Sequence, residues 1–153
     1  MPTPSSLNLE ATNIIRQLTL AYDADILNSD NIYLRLEQDC FHPLVLERHE
    51  PNVFSLTHYY TQNGDLMSDP DVTFLIHRHE RSLSLYPLSI TQSALGIYDE
   101  VAFLNDKRDG LKSIKPSPMK DIADFCNVWA SNILAQGWFL TDSKPNPEIS
   151  VRS

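Results

Sequence analysis

Apolar residues near the N-terminus recur every three or four positions, the spacing of one face of a helix. They are Leu7, Ala11, Ile14, Ile15, Leu18 and Tyr22. Ser6 precedes the first of them and belongs to the residue types that cap helices. The pattern therefore predicts a first helix over residues 7–21.

From residue 32 the hydrophobic period shortens to two, which is typical of strands with one buried face. Further runs of strand-forming residues follow at 44–48, 53–60, 72–77, 83–89 and 95–104. The turns between these runs are short and no helical stretch intervenes. The pattern therefore predicts an antiparallel meander of about five or six strands.

The charged segment at 105–117 is predicted to be a loop. Ser117 followed by Pro118 has the form of an N-cap and the first-turn proline that helices favour. The apolar stripe behind them predicts a helix at 118–136, long enough to cover one face of the sheet, and Gly137 provides its C-terminal stop.

Length and composition fit one globular domain, since 42% of the 153 residues are hydrophobic. We predict a single α+β domain at 7–140, in which an N-terminal helix and a long C-terminal helix pack on the antiparallel meander. Flexible ends are expected at 1–6 and 141–153. Cys40 and Cys126 are expected to be buried thiols and not a disulfide.

The net charge of −8 disfavours direct binding to nucleic acid, because unspecific binding to phosphates needs clustered lysine and arginine. No apolar run reaches the roughly 18 residues that a membrane span requires. The N-terminus also lacks the pattern of a secretory signal. We therefore expect a soluble cytoplasmic protein without membrane contact and without a cofactor, and the oligomeric state stays open.

Asn63-Gly64 lies between two strand-forming runs and is the strongest short-range signal for a two-residue hairpin loop. Counting outward from that loop places His58 opposite Asp69 at the rim of the core. An imidazole beside a carboxylate is held in one tautomer and has a raised pKa, which suits a general base or a metal ligand.

Two interpretations of this pair remain open. In the first, His58 and Asp69 form a structural pair that fixes a turn, as expected for an aspartate that precedes Pro70. In the second, the pair is catalytic, and Tyr60 and Asp65 are the further candidates beside it. The structural interpretation is favoured, because such pairs near strand ends are commoner than catalytic ones.

His77 and His79 form a separate and weaker candidate. Two histidines at i and i+2 lie on one face of a strand and can share a metal ion. Their face is the one opposite Val72, Phe74 and Ile76, so histidines that face water are the favoured interpretation. The sequence contains no established zinc-ligand, phosphate-loop or catalytic-serine motif.

Four blocks of the sequence carry a resemblance to a known family. They are FHPLVLE at 41–47, HYYTQNGDLMSDPD at 58–71, YPLSITQSALGIYDEV at 86–101 and WASNILAQGWF at 129–139. The chain resembles a bacterial domain family of unknown function whose signature is close to HYYxQNGDLMxDP and whose members are common on phages and plasmids. The resemblance implies an origin on mobile DNA, but it implies no particular activity.

The favoured function is a non-enzymatic binding or accessory module that holds a protein partner on the tyrosine-rich, solvated face of the sheet. One alternative is an anti-defence protein whose acidic surface imitates nucleic acid, and clustered carboxylates would favour it. The other alternative is a small enzyme built on His58 and Asp69. A concave pocket around His58 and a raised pKa of its imidazole would favour that alternative.

Overall fold

The structure, a computed structural model, confirms the predicted α+β fold. It describes residues 2–23, 25–26, 32–80, 82–139, 144–145 and 150–151. Six consecutive strands form an antiparallel meander, with one helix before it and one after it. None of the described helices is long and apolar enough to cross a membrane.

The two helices are α1 (Leu9–Leu20) and α2 (Pro116–Ala135). The strands are β1 (Ile32–Glu37), β2 (Leu44–Glu50), β3 (Val53–Gln62), β4 (Asp65–Arg78), β5 (Leu83–Gln92), β6 (Ile97–Glu100), β7 (Ala102–Leu104), β8 (Leu111–Ile114), β9 (Lys144–Pro145) and β10 (Ser150–Val151). Strands β1 to β6 pair in chain order, β9 and β10 pair with β1, and β7 pairs with β8 in a separate small sheet. The predicted flexible tail otherwise lies outside the described residues.

The N-terminal ends of both helices differ from the prediction. Asn8 caps α1 in place of Ser6, because its Oδ1 accepts a hydrogen bond from the Ala11 backbone N–H at 2.7 Å. Helix α2 begins at Pro116, two residues before the predicted start, and Lys115 occupies its N-cap without a side-chain hydrogen bond. Proline is well suited to this first position, since the N–H it lacks would have no partner in the helix.

The predicted hairpin is confirmed. Asn63 and Gly64 have φ angles of 53° and 83°, the positive values that a tight two-residue loop requires. The register around the loop pairs Tyr60 with Met67, as counting outward predicts.

The hairpin ladder is interrupted directly after the Tyr59–Ser68 pair, so the predicted pairing of His58 with Asp69 is wrong. Tyr59 pairs with Ser68 and Thr57 pairs with Asp71, which leaves one residue of β3 opposite two residues of β4. The second of those two residues is Pro70, which has no backbone N–H to give to a ladder. The strand accommodates the proline as a bulge, and the register shifts by one residue.

The chain between residues 95 and 115 also differs from the prediction. The single strand expected at 95–104 is divided into a 3-10 turn at Ser93–Leu95, β6 and β7. Val101 separates the two strands, because its side chain is buried and its N–H donates to the Leu88 carbonyl. The chain then leaves the main sheet, and β8 forms within the predicted loop as the partner of β7.

The two helices pack on one face of the sheet around a single hydrophobic core. Helix α2 contributes Met119, Ile122, Cys126, Trp129 and Ile133 to this core. Cys126 is therefore buried as expected, whereas the same expectation for Cys40 is wrong, since Cys40 is exposed. Burial raises the pKa of the Cys126 thiol far above its ordinary value. Both cysteines are free.

The opposite face of the sheet is mostly polar. Following the ladders from β1 to β6 gives one row formed by Arg35, Val45, Thr57, Asp71, Thr91 and Tyr98. The next row is formed by Tyr33, Glu47, Ser55, Thr73, Ser89 and Glu100. We call these two rows the open face, because both described helices pack on the other side.

Candidate functional site

His58 lies on the helix-covered side of β3, between two tryptophans. Its ring centroid is 5.8 Å from that of Trp129 and 5.9 Å from that of Trp138. Its Nδ1 lies 3.2 Å from the backbone carbonyl oxygen of His42. Because a carbonyl only accepts, Nδ1 carries the proton in this contact and Nε2 is left as the acceptor of the ring.

The environment of His58 lowers the pKa of its imidazole. Burial is the main cause, and hydrogen bonds to the backbone at His42 and Pro43 oppose it only in part. The expectation of a raised pKa is therefore wrong. Asp69 does not provide the predicted carboxylate, since its Oδ1 accepts a hydrogen bond from Gln92 Nε2 at 3.4 Å.

The other catalytic candidates do not converge on His58. The Tyr60 ring packs on His42, with the ring centroids 5.1 Å apart. Asp65 is exposed beside the hairpin loop, where it pairs with Gln62. The structure thus spreads His58, Tyr60, Asp65 and Asp69 along the hairpin, and a catalytic role for any of them stays a prediction.

An aromatic cluster surrounds His58, and sequence reasoning missed it. Its members are Phe41, His42, His58, Tyr60, Trp129 and Trp138. Three of the four blocks that carry the family resemblance supply these six residues. The cluster joins the β1–β2 turn, β3 and the end of α2, so it holds the base of the hairpin against the helix.

The fourth block contacts the hairpin from the other edge. The Ser68 backbone N–H donates to Ser93 Oγ at 3.2 Å, and the two hydroxyl oxygens are 3.1 Å apart. Together with the bond from Gln92 to Asp69, this contact fixes the 3-10 turn to β4. All four blocks therefore meet around the hairpin.

His77 and His79 lie side by side, as the i, i+2 spacing predicts. Their ring centroids are 4.9 Å apart in an edge-to-face arrangement, and His79 Nε2 lies 2.9 Å from Ser84 Oγ. His77 Nδ1 is buried without a hydrogen-bond partner among the described residues. Within the same residues, no group of three or more His, Cys, Asp or Glu could hold a metal ion. Metal binding by this pair stays a prediction.

The centre of the open face contains a threonine and an aspartate that form a hydrogen bond. The buried Thr57 hydroxyl donates to Asp71 Oδ1 at 3.0 Å. Burial, followed by the charges of Asp71 and Glu47, raises the pKa of the Tyr59 phenol. The phenol therefore remains protonated at neutral pH, and a hydrogen bond with the Thr57 side chain opposes the rise in pKa only in part.

Three large apolar side chains are exposed on the hairpin, the 3-10 turn and β6. They are Leu66, Leu95 and Tyr98, with 71%, 67% and 61% of their surface accessible. Leu66 lies on the same side of the hairpin as Tyr59, because it pairs with Thr61. Tyr98 ends the row that contains Asp71, and its hydroxyl donates to Glu100 Oε1 at 2.7 Å. We call these three residues the rim.

The environment of His58 predicts a specific pH dependence of stability. Because the folded state lowers the imidazole pKa, the unfolded chain binds this proton first as the pH falls. The stability contributed by the neutral ring is present above about pH 6.5 and is lost below it, toward the folded pKa. Urea unfolding between about pH 7 and 5 should therefore show a shallower loss of stability for His58→Gln than for the wild type.

Val128→Gln provides the control, since Val128 is exposed on α2 and the substitution leaves every titratable group in place. Its stability should follow the wild-type pH dependence over the same interval. An unchanged slope in His58→Gln would contradict the buried, neutral imidazole.

Comparison with known protein families gives a match over most of the chain. The family described as Domain of unknown function (DUF6908) matches residues 12–139, a span that includes all four sequence blocks. No curated protein and no solved structure matches the chain. The match covers most of the chain, from within α1 to the residue after Trp138. The chain therefore belongs to the DUF6908 domain family.

Proposed function

We propose that this chain is a non-enzymatic binding module that holds a protein partner on the open face of its sheet. The observation that carries the proposal is the exposure of the rim residues Leu66, Leu95 and Tyr98, of which Leu66 and Tyr98 lie on the same side of the sheet as the open face. A single exposed apolar residue is ordinary, whereas several on consecutive elements favour an interaction site.

The composition of the open face fits a protein interface better than a catalytic cleft. Aromatic and aliphatic side chains at an interface serve as anchors, and the polar groups around them set orientation. Tyr98 and Leu66 would serve as anchors here. The buried Thr57 hydroxyl holds the Asp71 carboxylate in place, so Asp71 and the protonated Tyr59 phenol are the polar groups of this face that a partner meets.

The charge of the open face indicates the chemistry of the partner. Its carboxylates are Glu47, Asp71 and Glu100, and its one cation, Arg35, already contacts Glu37 at 3.3 Å. A partner that carries lysine or arginine around an apolar patch would complement this surface. The net charge of −8 would accelerate the encounter with such a partner at low salt.

The two alternative functions have weaker support. An imitation of nucleic acid requires clustered carboxylates. The carboxylates of the open face lie on β2, β4 and β6, so about 10 Å separates neighbouring ones and they do not form a cluster. The enzyme hypothesis relied on a raised pKa of His58, and the pKa is lowered. We also propose that the module originates on mobile DNA and assists its partner protein in the cytoplasm.

Capture of the partner from a bacterial lysate tests the proposal. We expect the tagged wild type to retain a specific protein, and the double variant Leu66→Ser/Tyr98→Ser to retain about tenfold less of it, because both anchors are removed. Val128→Ser is the matched control, since Val128 is as exposed as Tyr98 but lies on α2. Thermal unfolding should show that both variants remain folded.

The outcomes separate the candidate functions. Equal retention by the wild type and the double variant would rule out the open face as the binding surface. Treatment with ribonuclease and deoxyribonuclease should leave capture unchanged. A captured protein that added DNA displaces would instead support the anti-defence function.

A further inference from the structure

A second apolar surface lies on the helix side of the molecule, away from the open face. It is a groove of about 630 Å³ between α1 and the C-terminal end of α2. Its apolar walls are Leu9, Ile14, Leu134 and Phe139. Leu9 and Leu134 have 72% and 48% of their surface exposed, so packing within the described chain does not account for them.

The groove follows the axes of two helices that run in the same direction. The Asn8 backbone N–H at the start of α1 donates to Asn127 Oδ1 at 2.9 Å, and Tyr22, just beyond α1, donates to the Trp138 carbonyl beyond α2. The α1 wall extends from Leu9 to Gln17, a length of about 12 Å at 1.5 Å per residue. That length accommodates about two turns of a third helix.

Polar residues form one edge of the groove. Asn13 and Gln17 lie four residues apart on α1, so their amides are on the same side of the helix. An occupant that is apolar on one side and polar on the other would match this arrangement. An amphipathic helix has that character, and it enters such grooves with apolar residues at i, i+3 or i+4, and i+7.

The charge of the groove determines the kind of helix that fits. Glu10 is its charged lining residue. Leu134 lies in the last turn of α2, which contains no basic residue and where the backbone carbonyls leave a partial negative charge. A second copy of this chain would bring a further net charge of −8 to an already acidic surface. A basic partner is complementary to it.

The C-terminal segment of the chain is a poor candidate for the occupant. Its described parts, Lys144–Pro145 and Ser150–Val151, pair with β1 at the edge of the sheet. We therefore propose that the groove binds an amphipathic helix of another protein, with an apolar stripe flanked by lysine or arginine. The protein would then connect two partners, one on the open face and one in the groove.

Designed peptides test this inference directly. The probe is a fluorescent Leu/Lys amphipathic helix of about 15 residues, and the comparison peptide replaces every lysine with glutamate. We expect the Leu/Lys peptide to bind and the Leu/Glu peptide to bind about tenfold more weakly or not at all, as measured by fluorescence anisotropy. Leu9→Asn and Leu134→Asn should each weaken binding of the Leu/Lys peptide about fivefold, because each removes an apolar wall without changing the charge.

Val128→Asn is the control for unspecific attraction of a cationic peptide, since Val128 is exposed on α2 outside the groove lining. It should bind the Leu/Lys peptide like the wild type. Binding that Leu9→Asn and Leu134→Asn leave unchanged, or no binding of the Leu/Lys peptide at all, would overturn the inference.

Two further measurements exclude the other occupants. A concentration-dependent dimer in sedimentation that Leu134→Asn abolishes would assign the groove to a second copy. Nuclear Overhauser contacts between residues 146–153 and Leu134 in the full-length chain would assign it to the C-terminal segment. The double variant Leu66→Ser/Tyr98→Ser should bind the peptide normally, so failure of the open-face proposal and failure of this one are distinguishable.

Discussion

Replacing Trp138 with alanine is expected to lower the free energy of unfolding by about 3–5 kcal/mol, as truncation of large buried aromatics does. Trp138 is completely buried, and its ring lies 5.9 Å from those of both Phe41 and His58. Its Nε1 donates a hydrogen bond to Gln136 Oε1 at 3.0 Å. Urea unfolding followed by fluorescence and circular dichroism measures the loss.

The same substitution should change the chemistry of His58. Water that enters the space left by the indole would remove part of the burial that lowers the imidazole pKa. We therefore expect the pKa of His58 in Trp138→Ala to rise toward its ordinary value of about 6.5, as followed by NMR titration of the ring protons.

Phe41→Ala is the control, because Phe41 contacts the same indole but is itself exposed. It should cost much less stability and leave the pKa of His58 almost unchanged. A loss below about 1 kcal/mol in Trp138→Ala, together with an unshifted imidazole, would show that the aromatic cluster does not hold the hairpin base.

The hydrophobic period of the sequence predicts most of the fold, because each element has one clear apolar face. The alternation from Ile32 to Leu36 and the stripe of α2 from Ile122 to Ile133 each match an observed element. Turn chemistry adds the hairpin, since Asn63-Gly64 leaves few other conformations for the loop. These signals are local, and local signals are the ones that a single sequence contains.

The predicted partner of His58 failed for a physical reason that the sequence also contains. Counting outward from a hairpin loop assumes an unbroken ladder, and a proline within a strand interrupts it. Pro70 is that proline, and its position indicates a bulge next to Asp69. The register beyond such a bulge cannot be extrapolated from the loop.

The surroundings of His58 could not be predicted from the sequence. Trp129 and Trp138 reach it from a helix and from the turn after that helix, and periodicity does not determine which part of a sheet a helix covers. The rim is a similar case, because it joins the hairpin, a 3-10 turn and β6. Alternation predicts the side on which Leu66 lies, but it does not predict the 3-10 turn that contains Leu95 or the separate strand that contains Tyr98.

Replacing Phe74 with alanine should likewise cost about 3–5 kcal/mol, at the centre of the sheet and away from both proposed binding surfaces. Phe74 pairs with Phe54 across β3 and β4, and both rings are completely buried. The rings stack with their centroids 5.0 Å apart and their planes 22° apart. Such a pair contributes about 0.5–1.5 kcal/mol beyond the burial of its area.

A double-mutant cycle with Phe54→Ala measures that coupling. We expect the double variant to lose less stability than the sum of the two single losses, with a difference within the range given for a stacked pair. Phe103→Ala is the matched control, since it removes the same atoms from a partly exposed position and should cost much less stability than Phe74→Ala. Additive losses for Phe54 and Phe74 would show that the two rings contribute through burial alone and that their stacking adds nothing.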